Sequence, residues 1–94
     1  MTRAVLADDA VLFREGLARL LVETGLEVVG QAGDLPTLLT LVDRLRPDLV
    51  VADIRMPPTY TTEGLDAAER IRLDHPRTAV IVFMPCITER PLAV

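Results

Sequence analysis

Ninety-four residues, half of them hydrophobic, suffice for one small domain with a core and exclude a disordered chain. The formal charge of −4 argues against nucleic acid as a partner of this chain itself, and all ten basic residues are arginine. The lone cysteine, Cys86, has no internal partner and fits a reducing cytoplasm. No signal peptide or membrane-length apolar run is read, so a cytoplasmic location without a membrane partner is expected.

The first element, residues 3–8, is a continuous apolar run and predicts a strand buried on both faces. Residues 11–23 predict a helix, with Phe13, Leu17, Leu20 and Leu21 on one face. Gly25 stands where a left-handed turn would end it. Residues 26–31, centred on Val28 and Val29, predict a second strand. Gly33-Asp34 signals a helix start, Pro36 suits the first turn, and Leu38, Leu41, Val42 and Leu45 share a face up to the stop at Pro47. Residues 48–53 predict a third strand, and residues 54–63 a loop with two prolines, three threonines and Tyr60. A third helix is expected from Gly64 to about Asp74, marked by Leu65, Ala68 and Ile71 and ended by His75-Pro76. Residues 79–83 predict a fourth buried strand. After Met84 the pattern is broken by Pro85 and Pro91. Such alternation implies a parallel sheet with helices on both faces and right-handed crossovers.

Three acids stand at strand ends. Asp8 and Asp9 close the first strand, and Asp53 closes the third. In an open parallel sheet, chemistry sits just beyond the carboxyl ends of the strands. If these strands are neighbours, three carboxylates converge. Their repulsion calls for a cation, and hard oxygen donors select Mg²⁺. A carboxylate beside Mg²⁺ is a candidate nucleophile toward phosphorus.

These residues carry a family. Val5-Leu6-Ala7-Asp8-Asp9, Phe13 through Leu21 and Val28 through Ala32 lead to the most specific segment, Arg46-Pro47-Asp48 through Asp53-Ile54-Arg55-Met56-Pro57, then Glu63-Gly64-Leu65 through Arg70-Ile71-Arg72. The chain resembles a response-regulator receiver domain of two-component signalling, of the kind joined to helix-turn-helix output domains. The resemblance spans about residues 3–83 and implies an α/β, flavodoxin-like (CheY-like) doubly wound parallel sheet. It implies that Asp53 is the phosphoacceptor, phosphorylated by a histidine kinase. It further implies Mg²⁺ held by Asp9 directly, Asp8 through water, Asp53, and the main-chain carbonyl of Arg55. The resemblance thus implies a signalling domain in a phosphorelay that regulates transcription, not an enzyme.

The chain departs from the family in two places. The resemblance puts Met84 at the switch position, where a Ser or Thr is expected, and a thioether donates no hydrogen bond. The expected phosphoryl-pairing lysine has no counterpart, because the chain contains no lysine. The expected architecture over residues 1–94 is therefore an incomplete receiver with strand order 2-1-3-4, its fifth strand and helix missing and no output domain. An uncovered fourth strand and a bare face on the first helix would favour self-association, so a homodimer is an expected partner beside the kinase. The alternative is a non-phosphorylated, degenerate receiver acting through protein contacts. A third reading, a Mg²⁺-dependent phosphohydrolase of the haloacid-dehalogenase type, needs a second acid two residues after the nucleophile, and that position is Arg55. His75 is read as a helix-terminal residue, Cys86 as a plain thiol and Thr88-Glu89-Arg90 as a solvated turn.

Overall fold

Arg3–Ala7 forms β1 at the centre of the sheet, and Ala4, Val5, Leu6 and Ala7 are all buried. This explains why the run is apolar at successive positions and not at alternate ones. The computed structural model describes residues 1–84. The readings of Pro85, Cys86, the Thr88-Glu89-Arg90 turn, Pro91 and the missing fifth strand and helix lie outside these residues. The remaining elements are α1 (Val11–Glu23), β2 (Glu27–Ala32), α2 (Leu35–Leu45), β3 (Leu49–Asp53), α3 (Glu63–Asp74) and β4 (Ala79–Phe83). The four strands form one parallel sheet in the order β2-β1-β3-β4, as expected. Among the described residues, no helix is long and apolar enough to cross a membrane.

Local chemistry sets the helix ends. Gly25 takes φ +99° after α1, and Leu26 donates back to the Leu21 carbonyl at 3.1 Å. Asp34 caps α2 by accepting from the Thr37 amide at 2.8 Å, with proline in the first turn. Arg46 closes α2 in the left-handed region at φ +46°, directly before Pro47. At the end of α3, the His75 ring meets the Asp43 carboxylate of α2 at 2.7 Å and ties the two helices together.

Helices α2 and α3 pack on each other and share one face of the sheet, while the backbone of α1 lies over β1 and β2. The core lies on the α2/α3 side, where Val5, Ala7, Val50 and Ala52 of the strands meet Leu38, Val42, Ala67 and Ile71 of the helices. Met56, from the loop after β3, is fully buried in the same cluster.

Two helix faces differ from the sequence expectation. On α3 the buried stripe is Gly64, Ala67 and Ile71, whereas Leu65 is 48% exposed and Ala68 is half-buried. Small residues let the helix lie close to the sheet, and counting only large apolar residues passes over them. On α1, Ala18 is buried and Leu17 and Leu21 are half-buried, but Phe13 and Leu20 stay exposed. The physical reason is coverage. The backbone of α1 lies over β1 and β2 and not over β4, so among the described residues the same sheet face stays open at Ile81. Phe13 instead reaches the Phe83 ring, with centroids 5.8 Å apart.

Candidate functional site

Parallel pairing of β1 with β3 puts Ala7 opposite Ala52, so the residues that follow them, Asp8 and Asp53, emerge side by side at the carboxyl end of the sheet. Asp9 comes next in the same turn. The three carboxylates each offer an oxygen, and these oxygens all lie within 4.8 Å of one another. Asp8 and Asp53 are buried and Asp9 is exposed, so the site has two sunken acids and one at its mouth.

Hydrogen bonds fix both buried acids. The Asp8 amide donates to the Ala32 carbonyl of β2 at 2.9 Å, and Asp8 Oδ1 accepts from the Ala10 amide at 2.8 Å. Asp8 Oδ2 is buried without a protein partner. Asp53 Oδ1 accepts from the Arg55 amide at 3.2 Å. Arg14 of α1 donates to the Asp8 carbonyl at 2.8 Å and, through Nε, to Gln31 Oε1 at 2.9 Å, clamping the ends of β1 and β2 together.

Electrostatics follow from this packing. Burial pushes the Asp8 carboxyl above its usual range; Asp53 and Asp9 push it further, while the Ala10 amide and Arg14 oppose the rise. Burial likewise raises Asp53, reinforced by Asp9 and opposed by the Arg55 and Ile54 amides and the Arg55 charge. Both acids are therefore held at a cost that a cation would relieve.

The loop after β3 completes the site. Arg55 is exposed, and the Ile54 amide donates to the Phe83 carbonyl of β4 at 2.8 Å. Met84, the expected switch position, directly follows Phe83, the register partner of Asp53. Met84 is 57% exposed. Farther along, the Pro57–Pro58 peptide is cis and Tyr60 takes φ +58°.

Two residues outside the sequence-derived set shape this loop. Glu63 opens α3, one residue earlier than expected, and is 4% exposed. Its carboxylate accepts from the Thr59 amide at 2.7 Å, the Thr59 hydroxyl at 2.5 Å and the Thr61 amide at 3.0 Å. The Thr59 hydroxyl above all, with these amides, holds its pKa down at about 2. Gly64 follows, and its amide donates to the Ile54 carbonyl at 2.9 Å. A Cβ here would overlap the Asp53 carbonyl oxygen and lie 2.6 Å from Ile54 Cα. The sequence signal available for both was the Glu-Gly pair between a threonine-rich loop and a helix.

The model of the response regulator receiver domain family matches residues 4–88. The transcriptional regulatory protein PdtaR of Mycobacterium tuberculosis is 39% identical over 90 residues, covering 96% of this chain and 42% of PdtaR. Response regulator GacA of Pseudomonas viridiflava is 36% identical over 87 residues, covering 92% of this chain and 39% of GacA. The chain thus spans about two fifths of the length of these relatives. Among solved structures, the signal receiver domain of NarL from M. tuberculosis superposes with a TM-score of 0.77 at 36% identity, over 86% of this chain and 64% of that one. A LuxR-family DNA-binding response regulator from Staphylococcus aureus gives a TM-score of 0.80 at 26% identity, over 97% of this chain and 72% of that one. Sequence, topology and the paired strand-end acids agree: the chain belongs to the response regulator receiver domain family and has the CheY-like fold.

Proposed function

We propose that this receiver is a phosphoacceptor module in which Asp53 takes a phosphoryl group from the phosphohistidine of a histidine kinase in the cytoplasm. The observation that carries the reading is the buried, unpartnered Oδ2 of Asp8 within a group of three carboxylates. An orphaned buried oxygen costs free energy, and two sunken acids side by side repel each other. An all-oxygen donor set at the carboxyl ends of adjacent strands fits Mg²⁺. Asp9 and Asp53 would hold it directly, Asp8 through water, and the Arg55 main-chain carbonyl would complete the protein ligands. When bound, the ion neutralises the acids and draws the phosphoryl oxygens toward Asp53.

The chain's own groups account for the rest. The Arg55 amide occupies Oδ1 of Asp53 and fixes the carboxylate plane, leaving the other oxygen to attack phosphorus. The new O–P bond forms as the P–N bond to the kinase imidazole breaks, and the imidazole leaves as the neutral base after taking up a proton. Asp8, tied to Ala10 and Ala32, keeps its second oxygen buried and free of protein partners.

A second reading, a non-phosphorylated module acting through protein contacts such as a homodimer, is favoured by Met84. It follows the register partner of Asp53, and its thioether donates no hydrogen bond to a phosphoryl oxygen. Incubation with acetyl phosphate and Mg²⁺ followed by intact-mass measurement separates the two. The phosphoacceptor reading expects one phosphoryl group on the wild type and none on Asp53→Asn. Labelling that persists in the variant moves the acceptor elsewhere, and an unlabelled wild type leaves the second reading.

A further inference from the structure

Neither the strand-end acids nor the family match accounts for a third buried carboxylate near the site. Glu63 is almost fully buried, yet it points away from the acidic cluster into its own loop, where it accepts three hydrogen bonds from Thr59 and Thr61. The Thr59 hydroxyl is also within 2.7 Å of the Thr61 hydroxyl, so the turn is cross-linked on itself. Between them Tyr60, at positive φ, donates from its amide to the carbonyl of the fully buried Met56 at 2.9 Å. One residue beyond Glu63, the Gly64 amide holds the Ile54 carbonyl, and the absence of a side chain lets α3 rest on the Asp53 carbonyl. The segment leaving Asp53 is thus fastened at both ends to the first turn of α3: at Ile54 by a backbone bond and at Thr59–Thr61 by a carboxylate. Arg55 lies inside this bracket, and its amide is the one that orients Asp53 Oδ1.

We infer that Glu63 is a positioning residue for the acidic site: through Thr59 and Thr61 it holds the Ile54–Thr62 loop so that the Arg55 backbone and the Asp53 carboxylate keep the geometry a divalent cation requires. This inference rests on the metal-assisted reading above. A carboxylate suits the task because one group accepts from two backbone amides and a hydroxyl at once, and charge-assisted bonds are stronger than neutral ones. An amide of the same shape has one oxygen and one NH₂. It leaves a Thr59 or Thr61 donor facing another donor and frees the loop. Outer residues that orient metal ligands typically govern affinity by about 10–100-fold.

The test is a Mg²⁺ titration of the 94-residue chain followed by the amide NMR signals of Asp53 and Arg55, run on four proteins at a temperature where all are folded. Glu63→Gln is expected to weaken Mg²⁺ binding about tenfold, at the lower end of that range because it acts through the backbone. Thr59→Val removes the hydroxyl's contacts with Glu63 and Thr61 but keeps the Thr59 amide bond, and is expected to fall between wild type and Glu63→Gln. Thr78→Val, which removes a part-buried hydrogen bond to the Pro47 carbonyl at the opposite, amino end of the sheet, is the control for plain destabilisation and is expected to bind Mg²⁺ like wild type. Equal affinity in wild type and Glu63→Gln overturns the inference while leaving the metal site intact. Equal weakening in Thr78→Val reduces Glu63 to a structural residue and overturns it as well. A wild type that shows no Mg²⁺-dependent shifts overturns the metal-assisted reading and this inference with it.

Discussion

Replacing Asp53 by asparagine should make the metal-free chain more stable, because the acidic site is held together against its own charge. Its carboxylate oxygen lies within 4.8 Å of one from Asp8 and one from Asp9. At that separation one like-charge pair costs about 3.5 kcal/mol at an effective dielectric near 20 and about 0.9 kcal/mol in bulk water. With Asp8 buried and Asp9 open to solvent, the working expectation is a gain of ~1–3 kcal/mol at neutral pH. Asparagine can still accept the Arg55 amide bond, so that anchor is retained.

The sign with pH follows from the raised pKa. Folded Asp53 holds its proton above the ordinary value of 3.8, so the folded state binds more protons than the unfolded one. Wild-type stability from this group is fully present below 3.8 and is lost as pH rises through the folded pKa. The advantage of Asp53→Asn should therefore be absent below 3.8 and complete at neutral pH. Urea melts of both proteins across this range measure it, and the pair should be compared again with saturating Mg²⁺. The ion stabilises the wild type by mass action, so the gap should narrow. A variant no more stable than wild type at neutral pH without metal would refute the argument that the three acids repel one another.

Two further outcomes follow from the same geometry. Gly64→Ala should cost about 1–3 kcal/mol or more in urea, since the added Cβ meets backbone that has nowhere to move. Gly16→Ala, inside α1 with nothing within 4 Å of its Cβ, should instead gain roughly 0.5–1 kcal/mol. Equal effects at the two glycines would refute the close approach of α3 to β3. Glu63 runs opposite to Asp53 in pH: held at about 2 against an ordinary 4.5, it contributes stability that is present above 4.5 and lost as pH falls through about 2. The stability difference between wild type and Glu63→Gln should thus shrink between 4.5 and 2, and a pH-independent difference would refute it.

The sequence by itself determined the order of elements, the parallel sheet and the three acids at its carboxyl edge. The reason is that each of these rests on local rules. Both faces of β1 are covered, so Ala4 through Ala7 read as an unbroken apolar run. Asp34, Pro36, Gly25 and Pro47 mark their boundaries through backbone chemistry confined to a few neighbouring residues. Even the β1–β3 adjacency needed only the family topology, and the Ala7–Ala52 register then brought Asp8 and Asp53 together.

Only the tertiary structure decided what the helices bury and what holds the loop. Leu65 is larger than Gly64, but close approach of α3 to the Asp53 carbonyl selects the smaller residue for the inner face. Phe13 and Leu20 have the spacing of a core stripe, yet α1 covers only half of the sheet, and periodicity carries no information about how much surface lies opposite a helix. Glu63 read as a loop acid because its burial depends on donors that Thr59 and Thr61 supply after the chain has turned back on itself. Charge in a sequence defaults to solvent, and only a folded arrangement of hydrogen-bond donors makes burying a carboxylate favourable.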